Sequence, residues 1–126
     1  MPAQCQLRGE LLTISVVGLV DNAEIERALT EGVASAGPGA QLHLLWDARR
    51  SVTLLSAADV AFRMGLVASL ADRGIVSRCA VLGDGTHQQS IIDLLRKEMP
   101  RALPQLPVRV FVDQAEALEW LGGSEG

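Results

Sequence analysis

Leu11-Leu12-Thr13-Ile14-Ser15-Val16-Val17-Gly18-Leu19, followed almost at once by Asp21-Asn22-Ala23-Glu24, is the stretch that decides the fold. The first nine residues are crowded with β-branched side chains, which suit a pleated surface and crowd the preceding turn of a helix. They predict a buried strand. Asp21 can accept from the free amides of a first helical turn, and Glu24 three positions later completes a capping-box pattern. Ile25, Ala28, Leu29, Val33 and Ala36 then recur at helical spacing, with Glu24, Glu26, Arg27 and Glu31 on the wet side. Gly37-Pro38-Gly39 stops the helix, because Pro cannot continue it and Gly tolerates a left-handed cap.

Working outward, Gln4 to Leu7 alternates weakly and Arg8-Gly9 reads as a turn, so the buried strand is the second arm of a hairpin. On the other side, Gln41 to Asp47 predicts a strand and Ala48 to Leu55 a loop carrying Arg49 and Arg50. Ser56 caps a helix over Ala57 to Arg73, with Asp59 at its third position and Gly74 after it. Ser77 to Leu82 is a strand and Gly83-Asp84-Gly85 a loop. Thr86, with Gln89 as reciprocal partner, opens a helix to Met99, stopped by Pro100. A Pro-rich connector, Leu103 to Pro107, leads to a last strand, Val108 to Val112, whose alternation implies one better-buried face. Asp113 and Glu116 open a final helix carrying Leu118, Trp120 and Leu121, and residues 122–126 are expected to fray. The order is β-β-α-β-α-β-α-β-α. Right-handed crossovers make such a sheet mostly parallel, so the fold class is α/β, with an N-terminal hairpin and packed helices.

At 126 residues and 48% hydrophobic, the chain is sized for one domain with a core that needs no metal or disulfide staple. A net charge of -4, with no long run of Arg or Lys, argues against a nucleic-acid footprint. No apolar run reaches the length of a membrane span. Met1 to Arg8 shows no export signal, so a cytoplasmic location with reduced Cys5 and Cys79 is expected. The two cysteines and two histidines, His43 and His87, have no metal-ligand spacing, and neither metal nor other cofactor is expected.

Two stretches resemble a known family. Arg78-Cys79-Ala80-Val81-Leu82-Gly83-Asp84 is similar to a strand ending in a Val-Gly-Asp-like turn. Val110-Phe111-Val112-Asp113-Gln114-Ala115-Glu116-Ala117-Leu118-Glu119-Trp120-Leu121 looks like a Phe followed by an Ala-Leu-x-Trp-Leu ending. Both are features of the SpoIIAA-like proteins, which share the STAS fold and are grouped with CRAL-TRIO-like lipid-binding domains. The resemblance implies a single STAS/SpoIIAA-like domain over residues 1–126. It says much less about function, since most such proteins have no established activity. STAS antagonists of anti-sigma factors carry a phosphorylatable Ser at the start of the helix after the third strand. The matching residue is Ser56, preceded by Leu55 where those regulators have Asp, and their strand-end Asp is matched by Asp47. Serine is also a preferred helix cap for backbone reasons alone.

The carboxyl ends of parallel strands are where open α/β sheets bind ligands. That edge would gather Asp47, Arg49, Arg50, Asp84, Thr86 and His87, with Asp113, around a Gly-Asp-Gly-Thr turn whose amides could meet a small anion. The turn lacks the glycine fingerprint of a dinucleotide site and the Gly-Lys-Ser/Thr of a phosphate loop. No Gly-x-Ser-x-Gly is present, and no catalytic residues are assigned. The helix over Ala57 to Arg73 is apolar almost all round, more than one sheet face requires. Val60, Phe62, Met64, Gly65, Leu66 and Val67 are therefore the candidate interface, with Gly65 admitting another element closely. The expected function is a non-enzymatic interaction or regulatory domain, working as a homodimer or with a regulatory protein. The alternative is a carrier of a lipid or small apolar molecule in a groove near that helix, lined by Trp46, Phe62, Met64 and Trp120.

Overall fold

The computed structural model describes residues 3–51, 57–83 and 107–122. Strands β1 (Ala3–Arg8) and β2 (Leu11–Gly18) form the expected hairpin, paired from Ala3↔Val16 to Arg8↔Leu11. Gly9 takes φ 60° in the two-residue loop, a conformation suited to the twist of a hairpin. Helix α1 (Asn22–Ala36) starts at Asp21, whose side chain accepts from the Glu24 amide at 2.9 Å, and ends at Gly37. Then come β3 (Leu42–Ser51), α2 (Ala57–Asp72), β4 (Val76–Leu82), β5 (Val108–Phe111) and α3 (Gln114–Gly122). Asp113 caps α3 by accepting from the Ala115 amide at 2.9 Å. Gly122, placed in the tail from sequence, closes that helix. The helix expected over Thr86 to Met99 lies outside the described residues.

The strands stand in the order β1-β2-β3-β4-β5, antiparallel at β1·β2 and parallel elsewhere. The crossovers through α1 and α2 step in one direction across the sheet. Being right-handed, they place both helices on one face, the front. The front core joins Leu12, Ile14 and Val16 of β2, Leu44 and Trp46 of β3 and Cys79 of β4 to Ile25, Ala28 and Leu29 of α1 and Val60, Met64 and Val67 of α2. Each fully buried Leu or Ile there contributes about 1.5–3 kcal/mol of transfer free energy. Helix α3 follows the last strand, so no crossover constrains it. It lies on the back face, where Ala117 and Leu121 meet Leu45, Ala80 and Leu82.

Two expectations are corrected. Strand β3 runs four residues past Asp47, so Ala48, Arg49 and Arg50 are strand, not loop. The extension is possible because β2 remains alongside: Val17 pairs with Arg50 and Gly18 with Ser51 after a register shift beyond Ser15. The second correction concerns α2. Val60, Met64, Val67 and Leu70 are buried in the front core and Leu66 packs partly against it, so most of the apparent apolar surplus is ordinary core. Phe62 faces water, 42% exposed, and Gly65 is exposed with nothing within 4 Å of where a Cβ would stand. Gly65 therefore admits no close neighbour within the protomer.

Close approach occurs instead at Gly32. A Cβ there would lie 2.8 Å from Cys5 Cβ and 2.9 Å from Leu12 Cδ1. The absent side chain lets α1 settle directly on β1 and β2. The two helical glycines thus predict opposite outcomes. Gly65→Ala should raise stability by roughly 0.5–1 kcal/mol through helix propensity alone. Gly32→Ala should lower it by about 1 kcal/mol, because overpacking against a β-carbon outweighs the same propensity gain. Urea denaturation midpoints with unchanged slopes check both.

Candidate functional site

The parallel strands bring their carboxyl ends to one edge. Asp47 and Arg49 are two apart on β3 and so share the back face. Arg49 grips Asp47 with both arms of its guanidinium, Nε to Oδ1 at 3.0 Å and Nη2 to Oδ2 at 2.9 Å, and its backbone amide donates to Oδ1 at 3.2 Å. Nη2 also donates to Gln114 Oε1 at 3.2 Å, tying the strand end to the first residue of α3. Burial pushes the Asp47 carboxyl up, but the hydrogen bonds from Arg49 and the charges of Arg49 and Arg50 outweigh it, holding the group below its ordinary value. Arg49 is correspondingly raised by its hydrogen bonds to Asp47. A bidentate pair of this kind is largely self-neutralising. The structure therefore brings Asp47 and Arg49 together as a clamp, and leaves Arg50 exposed beside them. Ser56, Asp84, Thr86 and His87 lie outside the described residues.

The proposed groove residues do not converge. Trp46 and Met64 belong to the front core, Phe62 points outward, and Trp120 lies on the back face. The reason is strand parity and helix position: Trp46 shares a face with Leu44, while α3 and its Trp120 sit on the opposite side of the sheet. Among the described residues no group of three or more His, Cys, Asp or Glu side chains is placed to hold a metal. His43 is on the back face of β3, its Nδ1 3.3 Å from Ser77 Oγ, and Ser77 Oγ is also 3.4 Å from the Leu42 carbonyl that accepts from it.

Two polar clusters were not foreseen. Arg63 was read as a solvent residue, yet it is only 9% exposed. Its Nε donates to Asn22 Oδ1 at 2.7 Å and its Nη2 to the Val20 carbonyl at 2.6 Å, while Asn22 Nδ2 donates to Asp59 Oδ1 at 3.0 Å. Burial lowers the guanidinium pKa, and the charges of Asp59 and Asp21 oppose that. This network ties α2 to the start of α1. The signal in the sequence was positional: Arg63 lies between Val60 and Val67 on the stripe that turned out to face inward. The second cluster holds α3. Arg78 stands over the Trp120 ring, 5.5 Å from its centroid, and donates Nη1 to the Trp120 carbonyl at 2.8 Å. Arg109 stands 5.8 Å from the same ring and 5.3 Å from Phe111, and the two rings are 5.7 Å apart. Nothing local relates residues 78, 109 and 120, so the cluster exists only once β4, β5 and α3 are assembled.

Both thiols are free and sluggish. Burial, with Glu31 adding to it, pushes Cys5 up to about 11, and burial alone pushes Cys79 up to about 12. Neither presents a thiolate nucleophile near neutral pH.

Arg63→Met should cost about 1–3 kcal/mol, since it orphans the Val20 carbonyl and Asn22; chemical denaturation reads this directly. The Asp47 clamp predicts an acid limb. A folded pKa below the unfolded one gives stability that is present at higher pH and lost as pH falls through the folded value. The stability difference between wild type and Asp47→Asn should therefore be full above about pH 5 and shrink progressively with acidification. Denaturant titrations across that range check it.

A family model described as SpoIIAA-like matches residues 11–122. No curated protein matches the chain. Among solved structures, an uncharacterized protein from the DUF3478 family of Shewanella loihica PV-4, described as having a SpoIIAA-like fold, superposes with a TM-score of 0.60 at 21% identity, covering 94% of this chain and 91% of that one. At that identity the likeness concerns the fold alone.

Proposed function

The chain belongs to the SpoIIAA-like family, and from that premise we propose that it is a non-enzymatic regulatory domain that docks a partner protein on the outward side of α2. The observation that carries this reading is the chemistry of that side. Ala58, Ala61, Phe62, Gly65 and Ser69 are all exposed, and the stripe they form has no charge until Asp72. A helix face that meets only water is ordinarily studded with charged residues. Here a protruding aromatic ring stands beside alanines and a glycine, a shape that offers an anchor and a shallow notch to a complementary surface.

Ser56 fits the same reading through its place in the chain, immediately before α2. Phosphate there would add about two negative charges at the start of the docking helix, changing which surfaces could approach it. Two free cysteines accord with work in a reducing cytoplasm, and among the described residues no helix is long and apolar enough to cross a membrane. The carrier alternative draws less support, because Val60, Met64 and Val67 fill the core instead of lining a groove.

Phe62→Glu tests the proposal. Its site is exposed, so stability should stay within about 0.5 kcal/mol of wild type. Affinity capture from native lysate should yield a protein held by the wild type and lost with Phe62→Glu. Identical proteins captured by both would refute docking at this face, and a lipid recovered by organic extraction of the purified protein would favour the carrier alternative.

A further inference from the structure

We propose that β1 is a self-association edge: its outer side pairs antiparallel with β1 of a second copy about a two-fold axis at Cys5, joining the two sheets into one. The inner side of β1 is paired with β2 along all six residues, and no described residue pairs with its outer side. That leaves a row of strand amides and carbonyls open to another strand. The usual safeguards are missing. There is no bulge in the β1·β2 register, no proline within the strand, and no charge before Arg8. The opposite edge differs, since β5 has only four residues and follows Pro107.

Antiparallel pairing sets residues of the same face opposite one another. An axis at Cys5 therefore places Cys5 opposite Cys5, Gln4 opposite Gln6 and Ala3 opposite Leu7 of the second copy. The surface suits this register. Between β1 and α1 lies a depression of about 260 Å³ bordered by Ala3, Cys5, Ala28 and Gly32. Leu7 of the second copy, facing the small Ala3, is the side chain placed to fill it, and the axis repeats the fit. Charge agrees as well. Because Gly32 rests on Cys5, the axis passes α1 near Ala28 and Gly32, and the two α1 helices run antiparallel across it. That sets Arg27 of one copy close to Glu31 of the second; both residues are exposed on this flank. The occupant is thus a second copy, since the same strand supplies both the recess and the side chain that fills it. This edge is separate from α2 and does not depend on the docking reading; joined at β1, two copies would display two α2 faces.

The test exploits Gln4 and Gln6, which are exposed and leave the protomer core untouched. The wild type should be a dimer by analytical ultracentrifugation at tens of micromolar. Gln4→Lys combined with Gln6→Lys sets like charges opposite each other twice and should weaken the dimer roughly tenfold or more. Gln4→Lys combined with Gln6→Glu sets opposite charges there and should restore it. All three proteins should melt alike when monomeric, which separates this result from misfolding. A wild type that is monomeric throughout, or a dimer equally strong with both lysines, overturns the proposal.

Discussion

Handedness of the crossovers constrains this molecule more than any single contact. Two right-handed connections stepping the same way across the sheet commit α1 and α2 to the front face, and with them Leu12, Ile14, Leu44, Trp46 and Cys79. The back face is then left to whatever follows the last strand. A nine-residue helix cannot cover five strands, and α3 sits over β3 to β5. Its hold is accordingly mixed: Ala117 and Leu121 bury apolar area, while Arg78, Arg109 and the Arg49–Gln114 contact bind its two ends through cation–π and hydrogen-bond geometry.

The same constraint explains why the strand-end edge is quiet chemically. Arg49 is drawn to Asp47 because strand neighbours two apart share a face, and to Gln114 because α3 begins beside them. A guanidinium shared between a carboxylate and an amide serves the fold, and its charge is spent locally. What stays uncommitted lies elsewhere: the outward stripe of α2 around Phe62, and the outer side of β1. One is a helix surface short of charge, the other a strand with half its backbone hydrogen bonds unused. Both are incomplete by ordinary physical standards, and both lie away from the edge where α/β sheets usually place their ligands.

Much of the architecture was legible because its signals are local. The Asp21 cap, the Gly37 stop, the β-branched run of β2 and the hairpin at Gly9 each depend on residues within a few positions of one another. The family resemblance in the segments around Gly83 and Trp120 agreed with the match over residues 11–122. The extension of β3 through Arg50 was hidden because two adjacent arginines look like loop, and only the neighbouring strand supplies the partners that keep them extended. The site was read less well. A helix rich in apolar residues does not reveal how wide a stripe its neighbours will cover, so Val60, Met64 and Val67 looked available when they are core.

The amino-acid sequence by itself determined the kinds and order of elements, the α/β class and the family, because caps, breakers and hydrophobic periods act over a few residues and carry their own physical cause. Tertiary structure alone decided which face each helix took, that Arg63 goes inside, that Gly32 rather than Gly65 is the point of close approach, and that Trp120 lies among arginines from two other strands. Those outcomes are set by which surfaces meet across long stretches of chain, and burial is a property of the meeting surfaces, not of either residue alone.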